Sequence, residues 1–247
     1  ATVAIGEFSL TFVLPLFLVN SLGLSTVRTG IVLAAMALGA FFSGASARHL
    51  ATRVGATGVV VLGLTLEVIG VGLLAWVVGM QGSTWLIVLT LIVYGIGLGL
   101  ASAQLTSTVL HDIPTDQSGA GSATQSTVRQ LGSALGAAIA GTALGSTMNH
   151  TIPDAVASIS AVPTRLLDKL VHITEDSAGS AIPGLRNASP NSPFIRPLGK
   201  SRGAVISSLE TGFAHAAAWS IGLSSLFLVI GLLGAIMVRH EARKQVG

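Results

Sequence analysis

No cysteine occurs in the 247-residue chain, which excludes a disulfide scaffold, a thiolate nucleophile and a cysteine-ligated zinc. The six histidines show none of the paired spacings of a zinc site, so we expect no metal centre and no cofactor. Charge is scarce as well: Asp, Glu, Lys and Arg make up 9% of residues, against roughly 25% in a soluble globular domain. That shortage, beside a hydrophobic content of 51%, excludes a water-soluble fold. The 13 basic residues outnumber the ten acids but form no basic face, which excludes nucleic acid as a partner. Enzyme signatures are missing too. There is no H-E-x-x-H and no P-loop, and Gly222 to Leu226 lacks the second glycine of a nucleophile elbow, so we expect no enzyme. Proline is nearly absent from the apolar runs, six of the eight falling between 147 and 211.

What remains is apolar sequence studded with thirty glycines. A bilayer core about 30 Å thick requires about 20 mainly apolar residues per helix. Runs of that kind lie near 1–22, 28–49, 57–80, 84–109, 124–146 and 212–238. The expected fold is therefore all-α, a polytopic membrane protein with six transmembrane helices. Its organisation would be five spans in 1–146, a long external loop in 147–211, a sixth span in 212–238 and a cytoplasmic tail in 239–247. Pro153, Pro163, Pro183, Pro190, Pro193 and Pro197 argue against a further span in the long segment. Val156, Ile159, Leu166, Leu167 and Leu170 recur at near-helical spacing there, which predicts an amphipathic piece on the membrane surface, interrupted near Pro163. The chain opens at Ala1 with neither Met nor a basic leader, and we expect it to be a piece of a longer protein.

Orientation follows from the basic residues of short loops, which stay cytoplasmic. Arg48 and Arg53 between the second and third spans, and Arg239, Arg243 and Lys244 in the tail, fall on one side. Trp76, Trp85 and Trp219 mark helix ends on the opposite side, as an interfacial aromatic belt would. The first side is read as cytoplasmic and the second as external. Basic residues of the long segment oppose that count, but loops longer than about 60 residues largely escape the rule.

Polar residues at depth are the informative ones, because an Asp, Arg or Lys at a helix centre costs roughly 2.5 to 3.5 kcal/mol on insertion scales. Glu7 lies in the inner half of the first span, with Thr11 one turn later on the same face and Pro15 freeing a backbone carbonyl beyond it. This stripe is read as the lining of an aqueous cavity, the alternative being a carboxylate at a frayed helix start. Glu67 is the most deeply placed acid, between Leu66 and Val68. It is either a neutral carboxyl bonded to a backbone carbonyl or a proton relay that becomes active when the site opens to water. In the fifth span Ser118, Ser122, Gln125, Arg129 and Ser133 recur at steps of three and four, forming one polar face beside Gln130. Arg129 either snorkels to the interface or serves a charged cavity. Gln104 extends a small polar stretch beyond Gly95, Gly97 and Gly99. Those glycines lack the third glycine of a dinucleotide fingerprint and are read as a close-packing seam shared with Gly132, Gly136, Gly141 and Gly145. His111, Asp112 and Asp116 are read as a solvated cytoplasmic turn around Pro114, and Glu210 and His215 as residues of the external mouth.

Several of these stretches together resemble a family. They are Gly95-Ile96-Gly97-Leu98-Gly99, Ile113-Pro114, Ser118-Gly119, Ser126-Thr127-Val128-Arg129-Gln130-Leu131-Gly132 and Ala134-Leu135-Gly136. The pattern resembles the later helices of major facilitator superfamily exporters, in the fourteen-helix drug:proton antiporter branch. Leu50-Ala51-Thr52-Arg53-Val54-Gly55 is similar to that superfamily's cytoplasmic motif; Arg53 and Gly55 match, while Thr52 stands where Asp is usual. The resemblance implies that this is the C-terminal six-helix half, working against an N-terminal half of six or more helices. It implies that the first and fourth helices line the cavity, the second and fifth form the interface between halves, and the third and sixth pack outside. On that layout Glu7 and Gln104 are cavity residues, Arg129 lies near the interface and Glu67 moves to a structural or indirect role.

The function expected from these readings is proton-coupled efflux of small amphipathic or cationic compounds by alternating access in the cell membrane. Its partners would be the substrate, protons and the lipid bilayer. The alternatives are a transporter of a nutrient or metabolite, and a membrane scaffold or sensor acting through the long external segment.

Overall fold

The structure is a computed structural model that describes residues 1–110, 114, 117–160, 162–193 and 195–244. His111, Asp112 and Asp116 therefore lie outside the described residues. Among the described residues eight α-helices follow one another: α1 (Thr2–Asn20), α2 (Thr26–Val54), α3 (Ala56–Gly79), α4 (Thr84–Leu110), α5 (Ser118–Val156), α6 (Thr164–Asp176), α7 (Ala181–Asn187) and, after a 3-10 turn at Arg196–Ser201, α8 (Arg202–Lys244). No strand is present among the described residues. Six of the helices, α1 to α5 and α8, are long and apolar enough to cross a membrane.

These six form two triplets. In one, α1, α5 and α8 pack mutually; in the other, α4 packs on both α2 and α3; the triplets meet mainly where α3 lies along α8. The pairing pattern maps onto itself when α1, α2 and α3 are exchanged for α4, α5 and α8. Successive spans run in opposite directions, so this is the arrangement of an inverted repeat. Hydroxyls and glycines set the approach within each triplet, as they must where lipid removes the hydrophobic drive between helices. The Ser9 hydroxyl lies 2.9 Å from the Gly136 carbonyl oxygen, joining α1 to α5, and the Ser220 hydroxyl donates to the Ala140 carbonyl at 3.1 Å, joining α8 to α5. Outward faces carry Ile31, Leu38, Phe41, Phe42, Leu73 and Leu89, exposed apolar side chains suited to lipid.

Between 147 and 211 the chain departs from the expected loop. α5 continues to Val156 with Pro153 inside it, and α8 begins at Arg202. At about 1.5 Å per residue these helices are roughly 58 and 64 Å long, so both project well beyond a bilayer core. The prolines read as breakers sit where a helix tolerates them: Pro163 caps α6, Pro183 is in the first turn of α7 and Pro197 opens the 3-10 turn. The amphipathic piece is α6 alone, since Val156 ends α5 and Ile159 lies in the intervening turn. Its apolar face does not rest on lipid. Leu167, Leu170 and Val171 join the same buried cluster as Phe17 of α1, Met148 of α5 and Phe213 of α8. Residues 157–201 thus cap one end of the α1–α5–α8 triplet. Gly79 of α3 approaches Ala218 of α8, so Trp219 stands at the level where α3 ends, near the exposed Trp76 and Trp85.

Candidate functional site

α1 and α5 touch through backbone. A Cβ added to Gly136 would stand 2.5 Å from the Ile5 carbonyl oxygen, and one added to Gly132 would stand 2.9 Å from that of Ala1. Arg129 lies one turn before Gly132. Helical side chains lean toward the N-terminus, which carries the Glu7 carboxyl back toward the level of Arg129. The Arg129 guanidinium donates to Glu7 Oε2 at 3.2 Å. The pair is asymmetric in its exposure, the Glu7 side chain being 9% accessible and that of Arg129 49%. Both border a cavity of about 480 Å³ together with Ala1, Ala4, Leu105 and Gln125, a size ordinary for small-molecule sites. A buried carboxylate, a half-exposed cation and apolar walls can hold an amphipathic molecule and exchange one positive partner for another.

Of the other residues singled out as binding groups, Thr11, Gln104, Gln130 and Glu67 do not line this cavity. Glu7 is buried within α1 rather than at a frayed start. The Thr11 hydroxyl donates to the Glu7 backbone carbonyl at 2.9 Å, a bond within the helix, and Thr11 is exposed. Gln104 is buried on α4, one residue before Leu105, which lines the cavity. Gln130 is exposed and is not among the lining residues. Arg53 is exposed in the last turn of α2, and Gly55 joins α2 to α3 with φ 79°, a left-handed conformation that glycine adopts without steric cost.

Glu67 is completely buried, and neither of its carboxyl oxygens has a hydrogen-bond partner. Its helix lies directly on α4: a Cβ added to Gly97 would stand 2.6 Å from the Glu67 backbone nitrogen and 2.6 Å from the Gly63 carbonyl oxygen. Val3 of α1 packs against the buried Leu64 one turn away from Glu67, and Tyr94 of α4 is buried against Gly70 one turn beyond it.

The glycines do not form one seam between α4 and α5. Gly95 meets Met36 and Gly99 meets Ala40 and Ser43, all of α2, while Gly97 faces α3. Gly132 and Gly136 face α1, and Gly145 faces open space. Spacing along a helix marks a small-residue stripe, but the neighbour it meets depends on the order of helices in the bundle.

Two pairings were hidden from the sequence. Glu7 and Arg129 stand out separately as charges at depth, and 122 positions separate them. The second is in the cap, where the Arg186 Nε donates to Glu210 Oε1 at 2.9 Å and its terminal nitrogen reaches the same carboxylate and the carbonyls of Asn20 and Ser21. The position of Arg186 in a proline-rich stretch gave no sign of that partner.

Residues 1–137, more than half of the chain, match the family model described as Major Facilitator Superfamily. The chain belongs to the major facilitator superfamily. Members of this superfamily are membrane transporters rather than enzymes, and the six apolar helices make the chain a multi-pass membrane protein. It is 27% identical over 135 residues to the riboflavin transporter RibZ of Clostridioides difficile (strain 630), covering 53% of the chain and 29% of that relative. It is 29% identical over 141 residues to the putative multidrug resistance protein MdtD of Pectobacterium carotovorum subsp. carotovorum (strain PC1), covering 57% of the chain and 30% of that relative. The matched stretch thus spans less than a third of either relative's length. The superfamily match ends at residue 137, within α5.

Proposed function

We propose that the protein contributes one helical bundle to a proton-coupled exporter of small amphipathic or cationic compounds in the cell membrane, working by alternating access against a second bundle. The Glu7–Arg129 pair at the cavity wall carries this reading. A carboxylate there can hold Arg129, a substrate cation or a proton, one at a time, and that exclusion is what couples two fluxes. Gln104 and Gln125 supply neutral polar contacts near an otherwise apolar wall. The α2–α3 turn and the end of α8 face the cytoplasm, and the cap faces outside. Likeness to a putative multidrug resistance protein supports the choice of substrate class.

A second reading, transport of a nutrient or metabolite, is favoured by likeness to a riboflavin transporter. The two are separated by giving the full-length protein in liposomes either ethidium or riboflavin under an imposed proton gradient. We expect gradient-driven ethidium movement, lost in Glu7→Gln without loss of helical content. Riboflavin movement alone would favour the second reading, and unchanged ethidium transport by Glu7→Gln would remove Glu7 from the mechanism.

A further inference from the structure

We propose that Glu67 is a second proton-carrying carboxyl, which takes up the proton that Glu7 releases and holds it in the dry seam between α3 and α4. The inference rests on the proton-coupled reading above and adds a site to it.

Three observations converge. Glu67 has no exposed surface and both of its carboxyl oxygens lack partners. An anion in that position would be a buried charge with no hydrogen bond, whereas the neutral acid carries far less penalty. The seam around it is closed by backbone: Gly63 meets Gly97 and Ala101, and Gly70 meets Tyr94. Gly97 leaves room for the stem of the Glu67 side chain, since a Cβ there would stand 3.0 Å from Glu67 Cγ.

The surroundings supply a donor. Val3, one turn before Glu7, packs against the buried cluster of Val60, Leu64 and Ala101, and Leu64 lies one turn before Glu67, so the turns of α1 and α3 that carry the two carboxyls are neighbours. Among the described residues, the titratable or charged groups on the helices around this cluster are Glu7 of α1, Tyr94 of α4 and Arg129 of α5. α2 carries no charged or titratable residue from Thr29 to Ala47, and α8 carries none from Ala216 to Val238. The observed arrangement is electrically balanced when Glu7 is an anion paired with Arg129 and Glu67 is a neutral acid. Loading follows in one balanced step in a state where the seam is open and the two carboxyls meet, since in the closed state neither Glu67 oxygen has a partner. An O–H bond of protonated Glu7 breaks, an O–H bond forms on the Glu67 carboxylate, and the two carboxyls together keep a charge of −1 before and after. Glu7, now an anion, pairs with Arg129 as the structure shows. Because the seam is closed in this state, the return step requires α3 and α4 to part or α1 to shift, which ties proton release to a change of conformation.

The test uses the full-length protein in liposomes, with ethidium as the probe. Infrared spectra of wild type minus Glu67→Gln should contain the C=O stretch of a protonated carboxyl, and ethidium binding should perturb that band. Glu67→Gln should retain ethidium exchange at equal pH on both sides, yet lose at least tenfold in gradient-driven accumulation. If gradient-driven accumulation survives in Glu67→Gln while Glu7→Gln abolishes it, Glu67 is a structural acid and this proposal is overturned with the parent reading intact. If the wild type shows no proton-driven flux, the parent reading fails and takes this one with it. Should Glu67→Gln not fold, Glu67→Asp serves instead: the carboxyl band must shift in frequency, and an unshifted band would show that it belongs to another residue.

Discussion

The side chains that matter most here are those whose cost in an apolar setting must be met by a neighbour. Arg129 gives Glu7 its observed partner, and half of its own surface stays accessible. Replacing it with Ala leaves the carboxylate buried without that donor. Accessible solvent at the guanidinium keeps the expected loss near the low end of the roughly 1.5–3 kcal/mol of a hydrogen bond to a charged group. Thermal unfolding in detergent should record that loss. The Glu7→Gln/Arg129→Ala double variant should lose less than the two single variants added together, by at least about 0.5 kcal/mol. Additive losses would mean that the pair is not formed in the membrane protein. Glu7, Gln104 and Arg129 could be singled out from the sequence because polar groups inside apolar runs are conspicuous. Their grouping could not be, since Glu7 and Arg129 meet only through the crossing of α1 on α5, and Gln130, next in sequence to Arg129, points elsewhere.

At the scale of elements, helix identity and helix contact obey different rules. Six long apolar runs sufficed to mark the spans, because backbone satisfaction in lipid leaves a helix as the only open choice for them. The contacts needed three dimensions: Gly95 and Gly99 meet α2, whereas Gly97, between them in sequence, meets α3. We expect Gly97→Ala to destabilise by about 1–3 kcal/mol, since the atoms its Cβ would strike are backbone and cannot turn aside. Gly145→Ala, whose Cβ meets nothing within 4 Å, should be neutral or gain up to about 1 kcal/mol from helix propensity. Melting curves of the two variants side by side decide the matter, and equal effects would deny the seam. The cap escaped the sequence because its prolines were weighed as breakers rather than as helix openers. Arg186 is its main polar tie, bridging Glu210 to the end of α1. Arg186→Ala should therefore lower hydrogen-exchange protection across residues 177–201 by about tenfold or more while the spans keep theirs. Uniform loss throughout the chain would instead make the cap inseparable from the bundle.

For the whole molecule, the exchange of α1, α2 and α3 for α4, α5 and α8 places the α2–α3 turn and the cap at opposite ends. These 247 residues contain no cysteine, so single cysteines introduced into them report their own position once any cysteine elsewhere in the protein has been replaced. Arg53→Cys and Lys200→Cys replace exposed residues at the two ends. A membrane-impermeant maleimide applied to intact cells should label the position 200 variant alone, and both after permeabilisation. Labelling of both in intact cells would contradict the proposed topology.

The cap also sets a fulcrum. It grips α1 at Asn20 and Ser21 through Ala178 and Arg186, beside the Glu210 carbonyl of α8, while Glu7 lies about 20 Å farther down the same helix. A tilt of about 5° around that grip would swing the carboxyl by roughly 1.7 Å over that arm, enough to part it from a guanidinium held at 3.2 Å. Leverage of this kind lets a rotation too small to disturb the packing near the clasp act as a release at the opposite tip.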